Sequence, residues 1–146
     1  MLVGLFVTPA VTAITEALAS AKADGTLAVI GNAKLADGLG AARDVIPVGL
    51  SARAARRLPR ALADLTTVEP ASLAAVIGVE LATDDDWQAT LRAWSRVVRD
   101  GGAIVFVDRG HSHEASRRAL CGGLSEIEQR HAGRAVITSG LVSHLG

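Results

Sequence analysis

Tyrosine is absent from the chain, and only four aromatic residues, Phe6, Trp87, Trp94 and Phe106, occur among its 146 residues. Few rings are therefore available to stack on nucleic-acid bases. Net charge is also absent, because 15 Lys and Arg balance 15 Asp and Glu, which leaves little long-range field to draw in a polyanion. No nucleic-acid partner is expected. Cysteine occurs once, at Cys121, so neither an internal disulfide nor a cysteine-based zinc site is available. The expected compartment is the reducing cytoplasm. No uninterrupted apolar run is long enough for a membrane: the first fifteen residues carry no charge, but Pro9 and Glu16 break the run before the roughly 18 residues that a span requires. Ala17-Leu18-Ala19 mimics a cleavage site, yet the opening MLVGLFVTP lacks the Lys or Arg of an export signal. Neither membrane insertion nor export is expected.

What the chain does have is small aliphatic side chains. Hydrophobic residues make up 49% of it, with 27 alanines and 15 glycines, enough for one packed domain over residues 1–146. Residues 1–9 are expected to form an apolar N-terminal strand or arm, Leu2 to Val7, that pairs within a dimer or with a partner. A helix should follow from about Ala10 to Ala23, with Val11, Ile14, Leu18 and Ala21 on one face.

Beyond Asp24-Gly25, short β-rich runs alternate with helical patterns, the sign of a parallel sheet covered by helices. The runs are Thr26 to Ile30, Asp44 to Val48, a weak one at Ala61 to Ala63, Leu73 to Val79, and Ala103 to Val107. Pro47 removes a ladder donor from the second, which places it short or near an edge. Leu73 to Val79 is apolar throughout, as a strand buried on both faces should be. Thr83, with Asp86 three residues on, reads as a capping-box variant opening a helix whose apolar stripe is Trp87, Leu91, Trp94, Val97 and Val98. Asp84 and Asp85 fall in its first turn and need no metal to explain them. A further helix is expected around Glu114 to Leu120. Ser125 to Gln129 and Ala135 to Ser139 then read as a hairpin.

Residues 26 to 139 resemble a small class I S-adenosylmethionine-dependent methyltransferase domain. The stretch Leu73 to Arg109 is similar to that family's fourth strand, helix and fifth strand, and Arg96-Val97-Val98-Arg99-Asp100-Gly101-Gly102 stands at its Arg-Val-Leu-x-Pro-Gly-Gly signature. Val98 replaces Leu and Asp100 replaces Pro. Gly123-Leu124-Ser125-Glu126-Ile127 looks like the family's closing Gly-Phe segment, which leads into an antiparallel pair. The resemblance implies an α/β three-layer sandwich with a mainly parallel Rossmann-like sheet and a C-terminal antiparallel strand pair.

The cofactor elements that the resemblance implies match unevenly. Of the acidic residue and Gly-x-Gly-x-Gly loop, Gly31 survives beside Asn32, while Val29 stands at the acid and Ala33 and Leu35 replace the later glycines. A leucine there is expected to fill ligand space. The acid that would hold the ribose hydroxyls falls on Gly49, which has no side-chain acceptor. Asp64 matches the family's contact to the adenine amine and serves equally as a cap or loop residue. Neither a dinucleotide fingerprint nor a phosphate loop is present.

His111 and His113 follow the fifth run at a carboxyl end and are candidate general bases. They lack a visible nucleophile, and no metal site is expected of them. Arg53, Arg56, Arg57 and Arg60 lie in a stretch with no acid from Val45 through Ala63. On a helix they would share one face, suited to carboxylates or phosphates on a partner. Two functions follow. The first is a methyltransferase-like domain that has lost S-adenosylmethionine and works through protein contacts, as an adaptor, a non-catalytic subunit or a homodimer. The second is a small active methyltransferase with an altered glycine loop, using Asp64, His111 or His113.

Overall fold

A computed structural model describes residues 2–58 and 60–144, and the side chains of those from Pro9 onward. Six strands, β1 (Leu27–Ile30), β2 (Val45–Val48), β3 (Leu73–Val79), β4 (Val98–Arg109), β5 (Ser125–Ala132) and β6 (Ala135–Leu141), form one sheet in the order β2-β1-β3-β4-β6-β5. The first four are mutually parallel. β6 runs antiparallel to β4 and to β5. β3 sits near the centre with six of its seven residues buried, which is why it carries no alternation. β2 lies at an edge, as Pro47 requires.

Side-chain alternation along the central strands creates one core on each face. On one face, Ala103 and Val105 of β4 pack with Ile14 and Leu18 of α1 (Leu2–Ser20) and with Leu35 and Leu39 of α2 (Ala33–Gly40). On the other, Ile104 and Phe106 pack with Leu91, Trp94 and Val97 of α4 (Trp87–Val97), and with Ala115 and Ala119 of α5 (Ser112–Cys121). The result is a three-layer, mainly parallel Rossmann-like fold with an antiparallel β4-β6-β5 flank. Among the described residues no helix is long and apolar enough to cross a membrane.

Four local expectations change. Leu2 to Val7 is helical and continuous with α1 across Pro9, not a strand or arm. Proline within a helix costs the bond that its missing N–H would make, but its φ is helical, so helix can persist on both sides. The Thr83–Asp86 capping box does not form: Leu81–Thr83 is a turn of 3-10 helix, and Asp86 precedes α4 without a side-chain cap bond. Asp84 takes that role, accepting from the Asp86 N–H at 2.8 Å and the Thr90 hydroxyl at 2.7 Å. The weak run at Ala61 to Ala63 contributes one bridge, Leu62 beside Val48 at the sheet edge. The fifth run starts earlier than expected, at Val98, because Arg99 to Gly102 bulge out of the β3–β4 register without ending the strand.

Candidate functional site

The four parallel strands all deliver their carboxyl ends to one rim of the sheet, where open α/β sheets place ligand crevices. Each leaves the sheet through a left-handed turn. Gly31 after β1 has φ 78° and Gly49 after β2 has φ 68°, values that explain glycine at both positions. β3 exits through Glu80 at φ 60° and β4 through Gly110 and His111 at 73° and 56°. Glu80 and His111 are not glycines, and holding such residues there costs about 1–3 kcal/mol each, a strain that clusters at functional sites.

Two spaces open along this rim. The larger, a cleft of about 720 Å³, is lined by Gly31, Asn32, Lys34, Glu80, Asp108 and Arg109 among others, and is closed on one side by the β5–β6 hairpin. The smaller, about 320 Å³, lies between Ile30, Gly49, Asp64, Leu65 and Trp94. The end of β1 stands between them, so Gly31 and Asn32 belong to one space, and Gly49 and Asp64 to the other.

Leu35 forms part of the cleft wall. It is 3% exposed and packs into the α1–α2 core, with Val29 buried beside it. Asn32 caps α2: its carboxamide oxygen accepts from the Lys34 and Leu35 N–H groups at 3.1 and 3.0 Å, the donors that an anion at a helix start would otherwise use. Asp64 is bonded locally through one oxygen. Its carboxylate accepts from the Thr66 hydroxyl at 2.5 Å and the Thr66 N–H at 2.9 Å, bonds that hold its pKa below the ordinary value. Gly49 offers no side-chain acceptor.

Asp108 escaped the sequence reading, although an acid closing the apolar run AIVFV is the signal that marks it. It is 3% exposed, and one carboxylate oxygen accepts from the Ala82 N–H at 2.9 Å, while the other is buried without a partner. Burial pushes its pKa up, against the opposing pull of the Ala82 bond and the nearby His111. Glu80, closing the run LAAVIGV, is its counterpart on β3 and lies exposed at the cleft.

His111 precedes α5 and His113 lies in its first turn, both exposed, and neither makes a side-chain hydrogen bond among the described residues. Among the described residues no group of three His, Cys, Asp or Glu side chains is placed to hold a metal ion. The arginine stripe is not a helix face. α3 (Ala52–Ala55) is a single turn, and Arg56 and Arg57 continue it as a non-helical turn. Arg53, Arg56 and Arg57 are exposed, and Arg60 folds back onto Asp44 in an ion pair.

No protein-family model matches the sequence, and no curated protein sequence does either. Solved structures do. A Methanococcus maripaludis protein described as an S-adenosyl-L-methionine-dependent methyltransferase superposes with TM-score 0.70 at 12% identity, covering 97% of this chain and 89% of that one. A complex between the Haloferax volcanii Trm112 methyltransferase activator and a methyltransferase gives 0.69 at 14% identity, over 90% and 89%. A T. thermophilus 16S rRNA methyltransferase, solved with AdoMet and guanosine, gives 0.61 at 17% identity, over 82% of this chain and 35% of that one. At these identities the likeness speaks to architecture. With the strand order and the two-faced core, it shows that this chain has the Rossmann-like fold of the class I S-adenosylmethionine-dependent methyltransferases.

Proposed function

We propose that this chain is a methyltransferase-fold domain that has lost S-adenosylmethionine binding and acts through protein contacts, as an adaptor or the non-catalytic member of a complex. The observation that carries the reading is the state of the polar groups where a nucleoside cofactor would be gripped. Gly49 stands where the ribose acid belongs, Val29 is buried at the loop acid, and the first N–H groups of α2 are taken by Asn32. Asp64 turns one carboxylate oxygen to Thr66. At the end of β2, where Gly49 stands, a bound ribose would find no carboxylate to accept from its hydroxyls, and those donors would lose the bonds they make to water. The residues present do not fit the cofactor, so no methyl transfer is derived through it.

Contacts with a partner are the role left to the exposed Arg53, Arg56 and Arg57, whose guanidinium groups suit carboxylates or phosphates on an acidic protein or on a second copy of the chain. The Haloferax neighbour is itself found with a partner protein. We place the protein in the cytoplasm, where its exposed Cys121 would stay reduced.

The second reading, a small active methyltransferase with an altered loop, is favoured by the open cleft at the strand ends, with His111 and His113 just beyond it. Calorimetric titration with S-adenosylmethionine and S-adenosylhomocysteine separates the two. The proposal expects no saturable heat up to about 1 mM ligand, and saturable micromolar binding overturns it.

A further inference from the structure

We infer that the 720 Å³ cleft at the carboxyl ends of β1, β3 and β4 binds a small organic anion, a phosphate or carboxylate that also carries a hydroxyl group. A space of this size is what a small ligand occupies. Its charge is uneven. Lys34, Arg109 and Arg134 all line it, from the first turn of α2, the end of β4 and the β5–β6 turn. None of the three makes a side-chain hydrogen bond or ion pair among the described residues. Arg60, Arg117, Arg118 and Arg130 each hold a carboxylate, whereas Arg53, Arg56, Arg57 and Arg92, like these three, make no side-chain bond among the described residues.

The hairpin brings two of these cations to one side of the cleft. Arg109 ends β4 opposite Ala135, and the Gly110 N–H donates to the Arg134 carbonyl at 3.3 Å, so Arg134, in the β5–β6 turn, adjoins the residue that pairs with Arg109. Like charges lining one cleft repel. No acid relieves them: Glu80 lies in the cleft without an ion pair to any of the three, and Asp108 is buried with its accepting oxygen turned to Ala82. An anion between Arg109, Arg134 and Lys34 would supply the missing countercharge through charge-assisted bonds, which guanidinium groups make to carboxylate and phosphate alike. Glu80 then sets the remainder of the chemistry. Held in the left-handed region at the strand exit, its free carboxylate faces the same space and would repel a bare polyanion, while accepting from a hydroxyl on the ligand.

The test uses two probes, sn-glycerol 3-phosphate and D-glycerate, which share the anion and the hydroxyls and differ in phosphate against carboxylate. Glycerol serves as the neutral control. Neither probe carries a nucleoside, so the outcome is independent of whether S-adenosylmethionine binds. Saturable binding of at least one probe below about 10 mM is expected, with none for glycerol, and the binding should weaken in about 0.5 M salt. The double substitution Arg109→Gln and Arg134→Gln should weaken it by roughly tenfold or more, the loss of two charge-assisted contacts. Both side chains are exposed and unpartnered, and an unchanged melting temperature in the double variant shows that the fold is intact. Binding of the phosphate probe alone, or of the carboxylate probe alone, identifies which anion the cleft takes. Absence of binding by both probes, or binding that the double variant leaves within about twofold, overturns the inference.

Discussion

Gly78 of β3 lies directly beneath the indole of Trp94: a Cβ at position 78 would stand 2.1 Å from Trp94 Cη2. The strand is therefore locked to α4 by an absent side chain, and the 5% exposed ring fills the space that a methyl would need. Gly78→Ala should destabilise the protein by about 2–3 kcal/mol through overpacking against a rigid ring. Trp94→Phe, itself costly, should recover part of that loss in the Gly78→Ala background. A double-mutant cycle in urea is expected to give a coupling above about 0.5 kcal/mol. A Gly78→Ala variant as stable as the parent would place the ring elsewhere.

Asp108 and Ala82 make a second prediction. The Asp108 carboxyl binds its proton more tightly folded than unfolded, because burial raises its pKa above the ordinary 3.8. The native state therefore holds more protons than the unfolded one as pH rises from 3.8 through the folded value, and this group's contribution to stability falls over that window and stays reduced above it. Asp108→Asn removes the buried charge and keeps an acceptor for the Ala82 N–H. It should match or exceed the parent in thermal stability at neutral pH and lose any advantage below the window. Asp108→Ala strands the Ala82 N–H and should be less stable than the asparagine variant by about 1–3 kcal/mol.

Glu114 behaves with the opposite sign. Hydrogen bonds from Arg117 and Arg118 hold its pKa at about 2 against an ordinary 4.5. Its stabilising contribution is complete above 4.5 and is lost as pH falls toward about 2. A thermal-stability profile over that range should therefore be flatter for Glu114→Gln than for the parent, with the difference shrinking in high salt because the pair is solvent-exposed. Arg118 should stay in place, since it also donates to the Leu81 and Asp84 carbonyls at 2.7 and 2.8 Å. Identical profiles would mean that the carboxylate is not paired in solution.

The sheet was legible because its signals are local. A fully apolar run such as Leu73 to Val79 has few alternatives to a buried strand, and Pro47 marks β2 as short or near an edge. The Thr83–Asp86 box misled because the spacing fits a cap, whereas the winning carboxylate, Asp84, was chosen by the 3-10 turn ahead of α4. The four arginines misled in the same way, since helical spacing assumes a helix longer than the one turn that forms. Leu35 was read as filling ligand space, and it both packs into the core and forms part of the cleft wall. The site itself was least legible. That Asp108 is buried against the Ala82 N–H, and that Arg109 and Arg134 line one cleft, depend on contacts between segments some 25 residues apart in the chain. No local pattern encodes those contacts.

The arginine group separates into two kinds, and that separation is measurable. Arg60 is paired with Asp44, whose pKa is held below its ordinary value first by the Arg60 bond and then by the Thr26 hydroxyl. Arg56 and Arg57 are exposed beyond α3 and hold nothing in the described structure. Arg60→Gln should therefore let the Asp44 carboxyl titrate at higher pH in NMR, while Arg56→Glu with Arg57→Glu leaves it unmoved. The reversal pair should change stability by no more than about 0.5 kcal/mol, as surface substitutions without partners do. If these two residues form the docking surface for an acidic partner, the same pair should abolish binding of a fluorescent oligoglutamate peptide, while Arg60→Gln retains most of it. Intact peptide binding in the reversal pair would remove these arginines from the partner surface, and a large loss of stability would show that they are structural.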